Sequence, residues 1–181
     1  MQGGLVVRRL TPADGGAIAG WRYPGRESTY DELEAVTSER GYWAVVRGRE
    51  LVGKCCFGAA ARVPGVEHEE GTLDIGYGLR PDLVGQGLGP AFVQTILDFA
   101  AGEFGPERFR GLVLDWNRRS QKVAAAVGFR EERVVGSDEG EFVVLVRPAT
   151  TGPPGDRVSS PEGGVRAFRH GPVCHARALR G

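Results

Sequence analysis

Gly85-Gln86-Gly87-Leu88-Gly89 lies between a strand-like run, Thr72 to Leu79, and a helix-like run, Pro90 to Phe104. Alternating glycines at such a junction let successive backbone N–H groups converge on one point, and the helix behind them adds the positive end of its dipole. That combination holds a phosphate or pyrophosphate without any side-chain charge. It commits this stretch to a strand–turn–helix unit and implies a nucleotide-containing ligand.

Around this unit the chain punctuates itself clearly. Leu5 to Leu10 reads as a strand. Thr11 to Trp21 reads as a helix, with Thr11 as N-cap, Pro12 at its first position and Asp14 in its first turn. Glu27 to Glu39 is expected to be a second, polar helix. Tyr42 to Arg47 and Leu51 to Phe57 form a hairpin around Gly48-Arg49-Glu50, and residues 58–71 form a loop. In the strand Thr72 to Leu79, Gly76 and Gly78 share a face, which marks a bulge or a close approach. Phe92, Val93, Ile96, Leu97, Ala100 and Phe104 follow helical spacing. Phe109 to Asp115 is a strand, Arg118 to Val127 a helix ended by Gly128, and Arg130 to Val135 and Glu141 to Arg147 a closing antiparallel pair. The order predicts an α/β domain of α+β type: a mixed, mostly antiparallel central sheet flanked by helices.

At 181 residues and 41% hydrophobic content the chain can bury one core. Its 23 basic and 23 acidic residues balance, which speaks against nucleic acid or a membrane surface as partner. The N-terminal residues lack a basic segment followed by an apolar stretch, and no run reaches membrane-spanning length. Cys55, Cys56 and Cys174 do not suggest a disulfide framework, so the expectation is a reduced, cytoplasmic setting. The domain is expected over 1–147. Residues 148–181 hold five arginines against two carboxylates, a net +3, with 11 Gly or Pro, and read as a disordered basic tail. His170, Cys174 and His175 there are too few to hold a structural zinc, and no metal site is expected.

Three glycine-turn patterns compete for Gly85–Gly89. A phosphate loop of the Gly-Lys-Ser/Thr type fails, because Pro90-Ala91 follows. A dinucleotide fingerprint needs a third glycine where Pro90 stands, and four strands precede the turn. The third pattern is carried by Leu79-Arg80-Pro81-Asp82-Leu83-Val84-Gly85-Gln86-Gly87-Leu88-Gly89, with Asn117-Arg118-Arg119-Ser120 and Val127-Gly128-Phe129 downstream. Together these resemble the acetyl-CoA loop and the Asn…Gly-Phe segment of GNAT-family N-acetyltransferases, in register with the strand order over residues 5–147. The entrance Trp21-Arg22-Tyr23-Pro24-Gly25 is similar to a bacterial branch of that family with undefined substrates.

The resemblance implies that Tyr77, Gly78 and Leu79 pair through their backbone with the pantetheine arm of acetyl-CoA. It implies that Gly85, Gln86, Gly87, Leu88, Gly89 and Pro90 hold the pyrophosphate, and that Asn117 bonds the arm near its thiol. Two departures stand out. The family's Arg/Gln position is Val84, and Pro90 lacks an N–H.

Amide formation from a thioester needs a neutral amine and a proton for the leaving thiolate. Where many family members carry a tyrosine acid, this chain has Ala124, and Ser120 is the expected substitute. Asp74, upstream of the cofactor-pairing segment, is the expected base, with water as the alternative. Glu69, Glu70 and His68 form a second acidic patch suited to a cationic amine. Tyr23, Tyr42 and Trp43 are candidates for the acceptor cleft. The expected function is acetyl transfer to a primary amine of a small molecule or peptide, by direct attack in a ternary complex. A non-catalytic acyl-CoA-binding module is the alternative. An exposed edge strand at 141–147 is expected to be able to pair two subunits as a homodimer.

Overall fold

The computed structural model describes residues 4–149, so the expected basic tail, but for Pro148 and Ala149, lies outside the described residues together with His170, Cys174 and His175. Seven strands form one sheet: β1 (Leu5–Arg9), β2 (Tyr42–Arg47), β3 (Glu50–Phe57), β4 (Thr72–Leu79), β5 (Arg108–Leu114), β6 (Arg130–Ser137) and β7 (Gly140–Pro148). Their order is β1-β2-β3-β4-β5-β7-β6. Every neighbouring pair is antiparallel except β4 and β5, which run parallel. The sheet is therefore mixed and mostly antiparallel, as expected.

Three α-helices accompany it: α1 (Pro12–Ala19), α2 (Gly89–Phe104) and α3 (Arg118–Ala126). Helix α1 starts with a reciprocal cap, the Thr11 hydroxyl accepting from the Asp14 N–H while the Asp14 carboxylate accepts from the Thr11 N–H. Helix α2 buries Phe92, Val93, Ile96, Leu97 and Ala100, and ends where Gly105 takes φ 56°. It is the crossover between the two parallel strands, which requires such a connection.

The core lies in two layers because strand side chains alternate. Along β5, Phe109 and Val113 join the layer under α2 and α3, while Leu112 and Leu114 pack on the opposite face with Val63, Phe142 and Val144. A smaller cluster of Leu10, Ile18, Val36, Tyr42, Ala44 and Cys56 seats α1.

The helix expected over Glu27–Glu39 does not form. Two short 3₁₀ turns, Gly25–Tyr30 and Ser38–Arg40, flank an extended segment. Its polar side chains bond elsewhere: Asp31 accepts from the Tyr23 N–H at 2.8 Å, and Glu32 accepts from Lys54 and from the Tyr42 hydroxyl. With only Val36 buried, no helical stripe exists to pack, and side-chain bonds to distant partners win. Residues 141–147 are also not an edge. They belong to β7, enclosed by β5 and β6, so the outer strands are β1 and β6. No helix among the described residues is long and apolar enough to cross a membrane.

One irregularity of the sheet opens space between β4 and β5. Strands β4 and β5 pair over only four rungs, from Thr72 with Arg108 to Ile75 with Gly111. Beyond them β4 continues to Leu79 and β5 to Leu114 without a ladder between them.

Candidate active site

Where β4 and β5 part, a cavity of about 280 Å³ opens. Ile75 to Leu79 line one wall, Gly111 to Val113 the other, and Asn117, Ser120, Val123 and Ala124 of α3 close the side. Val84, Gly85, Gly87, Gly89 and Pro90 form one end, and Tyr23, Glu27, Tyr30, Lys54 and Arg119 stand around the rest. Of the residues expected to bind the cofactor, Tyr77, Gly78, Leu79, Gly85, Gly87, Gly89, Pro90 and Asn117 meet at this one cavity. Ser120 joins them.

Gln86 and Leu88 are not in its lining. The Gln86 side chain donates to the Asp82 carbonyl at 2.6 Å and fastens the turn. Leu88 packs on the main core, and its carbonyl accepts the Phe92 N–H at 2.9 Å, opening α2.

Gly85 and Gly87 adopt φ 85° and 79°, with open space where a Cβ would stand. Only glycine takes this backbone cheaply. The N–H groups of Gly87, Leu88 and Gly89 find no acceptor among the described residues. Unpaired N–H groups at a helix start suit an anion. Nearby Arg80 does not serve it, since its guanidinium is taken by Glu50, Asp82 and the Leu51 carbonyl. Gly89 has a different duty: a Cβ there would stand 2.7 Å from Val123 Cγ2, so its bareness lets α2 and α3 close together.

The edge of β4 that faces β5 is open from Gly76 onward. Over Gly78, Lys54 Cε and Tyr23 Oη both come within 3.2 Å of where a Cβ would be. The close approach expected at that glycine is therefore by protein side chains. Tyr23 fixes the strand end by donating to the Leu79 carbonyl at 2.8 Å.

A second set of polar side chains in the lining centres on Asn117. Asn117 caps α3, its Oδ1 accepting from the Ser120 N–H at 3.1 Å. Its Nδ2 donates to Tyr30 Oη at 3.0 Å. Burial pushes the Tyr30 phenol up, opposed by the Asn117 bond, while the charge of Glu27 and the neighbouring Tyr77 add to the rise. The Tyr77 phenol is also pushed up by burial, with hydrogen bonding from Ser120 opposing. The Tyr30 ring tilts against Trp116 at 6.0 Å, and the Arg26 guanidinium covers Trp116 at 4.7 Å.

The expectation for Asp74 is corrected. It does not line the cavity but is fully buried in a bidentate pair with Arg110, at 2.6 and 3.2 Å, with Arg62 at 3.4 Å and His68 at 3.9 Å. Of the acidic patch, Glu69 is likewise engaged, meeting Arg108, Arg110 and Arg133. Tyr42 is core and Trp43 packs on Phe99, leaving Tyr23 of the three aromatics at the cavity. Tyr30 and the part-buried Lys54–Glu32 pair were not foreseen. Lys54 was legible as a cation within an apolar strand, whereas nothing in the spacing around Tyr30 marks it.

Several solved structures share this architecture. Aminoglycoside acetyltransferase AAC(6')-Ib in complex with coenzyme A superposes with a TM-score of 0.65 at 16% identity, over 80% of this chain and 95% of that one. A GNAT-family acetyltransferase from Bacillus anthracis gives 0.62 at 17%, over 82% and 97%. The ribosomal-protein-S5-alanine acetyltransferase from Vibrio fischeri gives 0.61 at 16%, over 85% and 100%. At such identities the likeness speaks for the fold alone. No curated protein matches the sequence. The acetyltransferase (GNAT) domain matches residues 5–130, which hold the parted strands, the glycine turn and the Asn117 cap. The chain belongs to the GNAT family of acetyltransferases.

Proposed function

We propose that the protein transfers the acetyl group of acetyl-CoA to a primary amine of a small molecule or peptide, by direct attack while both substrates are bound. The observation that carries this reading is the juxtaposition of an anion cradle at α2 with the unpaired edge of β4 along one cavity. A pyrophosphate followed by an amide-bearing arm needs both: N–H groups for the anion, then strand-like backbone partners for the amides. Val84 and Pro90 cost the cradle a charge and a donor, but the free amides of Gly87, Leu88 and Gly89 remain.

In this reading Gly85 to Pro90 bind the pyrophosphate, Tyr77 to Leu79 align the arm, and Asn117 and Ser120 stand at its thiol end. The amine enters past Tyr23 and Glu27. Asp74 is locked to Arg110, so the amine releases its proton to water. Coenzyme A or acetyl-CoA occupies solved AAC(6')-Ib structures, one together with paromomycin, and the Vibrio fischeri neighbour is named for an alanine of ribosomal protein S5. Both acceptor classes belong in the test.

Thermal unfolding with acetyl-CoA, CoA and NADH tests the donor. At 100 times Kd, bound ligand stabilises by about 2.7 kcal/mol, roughly a 5–10 °C rise for a domain this size. Acetyl-CoA and CoA should give it and NADH should not. Thiol release should follow with kanamycin, spermidine or an alanine-terminated peptide. Ala124, which leaves α3 without a phenol, favours the second reading of a non-catalytic acyl-CoA-binding module; that reading predicts the shift without thiol release.

A further inference from the structure

We infer that Tyr30, from the 3₁₀ turn between α1 and β2, is the catalytic residue that gives its phenolic proton to the departing thiolate. This rests on the proposed transferase reading. The starting point is the α3 cap. The Ser120 N–H needs an acceptor, and Asn117 Oδ1 supplies it at 3.1 Å. That fixes the amide, so its NH₂ end must face Tyr30, and at 3.0 Å it donates to the phenol oxygen. Tyr30 Oη is then an acceptor in this bond, and its own proton has to go elsewhere. No acceptor for it exists among the described residues, and Tyr30 lines the cavity. A held phenol with an unused O–H beside a thioester site is an acid in position.

Its place along the cavity is right for the sulfur. In coenzyme A the thiol is the end of the arm farthest from the pyrophosphate. An arm that starts at Gly85–Gly89 and runs back along β4 passes Leu79 and Gly78 and reaches Tyr77. Tyr77 neighbours both Tyr30 and Ser120. Trp116 holds the Tyr30 ring, itself covered by Arg26. Burial raises the phenol above its ordinary value, so it is fully protonated at neutral pH, as an acid must be.

The step balances. The amine nitrogen forms the C–N bond, the C–S bond breaks, and the sulfur keeps the electron pair. The thiolate takes the Tyr30 proton to become CoA-SH. The amine proton passes to water, and the phenolate recovers a proton from water. The acid that α3 lacks at Ala124 thus comes from the segment that packs across from it.

The test needs no knowledge of the acceptor. A donor aimed at the sulfur stabilises the bound thiolate, so CoA should bind more tightly as pH rises towards the free thiol's pKa, about 8.5 for an ordinary thiol, and level off above it. Calorimetry between pH 7 and 10 should show CoA affinity rising about tenfold relative to desulfo-CoA. In Tyr30→Phe the two ligands should keep a constant ratio, with desulfo-CoA affinity within about twofold of the original chain. With any amine that turns over, Tyr30→Phe should lose about 100-fold in kcat, and Ser120→Ala much less. An unchanged pH dependence in Tyr30→Phe, or its loss in Ser120→Ala instead, overturns the assignment to Tyr30. Absence of CoA binding by the unmodified chain overturns the transferase reading on which it stands.

Discussion

Asp14 shows how one side chain can serve four hydrogen bonds. Its carboxylate caps α1 through the Thr11 N–H, accepts the Thr11 hydroxyl at 2.7 Å, and takes both Arg8 nitrogens at 2.7 and 3.1 Å. The Arg8 bonds are the main cause of its pKa being lowered to about 2. The sign follows: a carboxyl depressed in the folded state contributes stability above its unfolded pKa and loses it as pH falls towards the folded one. Asp14→Asn should therefore cost about 1–2 kcal/mol at pH 7, the figure being kept small because Arg8 is partly exposed and water screens the pair. The deficit should narrow between about pH 4 and 2, and urea unfolding at both ends of that window checks it. The Thr11 cap, with Asp14 in the first turn behind it, was legible because capping is local. Asp74 was not, because its chemistry depends on a partner, Arg110, 36 residues away on a parallel strand.

At the scale of elements, adjacent glycines in α1 separate intrinsic propensity from packing. Alanine favours a helix over glycine by about 1 kcal/mol. Gly16 has open space around it, so Gly16→Ala should stabilise by about that amount. At Gly15 a Cβ would stand 2.1 Å from the Val36 carbonyl oxygen, a backbone atom that cannot swing away. Gly15→Ala should destabilise by roughly 1–3 kcal/mol, and paired thermal scans should show melting temperatures moving in opposite directions. The same contrast explains which elements were readable. The α2 stripe and the hairpin strands carry their own periodicity. Residues 27–39 carry none, and their path is set by bonds to Tyr23, Tyr42 and Lys54, so the extended segment and the placing of Tyr30 were not accessible from local pattern.

Across the whole molecule, a charged cluster joins the 58–71 loop to β4, β5 and β6. Asp74 and Arg110 face each other on the third of the four rungs that hold β4 to β5, and Glu69 connects Arg110 to Arg108 and Arg133. Removing one partner of a buried pair leaves an uncompensated charge, at a cost of about 3–5 kcal/mol. Arg110→Met should lose that much in urea unfolding, and adding Asp74→Leu should recover more than half. All seven strands, the three α-helices and the glycine turn could be read from the residues themselves, because each depends on neighbours within a turn or two; only the path of residues 27–39, expected as a helix, could not. The tertiary structure alone decided that β4 and β5 part after Ile75, that Asp74 is an ion-pair partner, that β7 is interior, and that Tyr30 meets Asn117 across 87 residues. Those outcomes turn on which distant side chains share a face and a dielectric, and only the packed sheet brings them together.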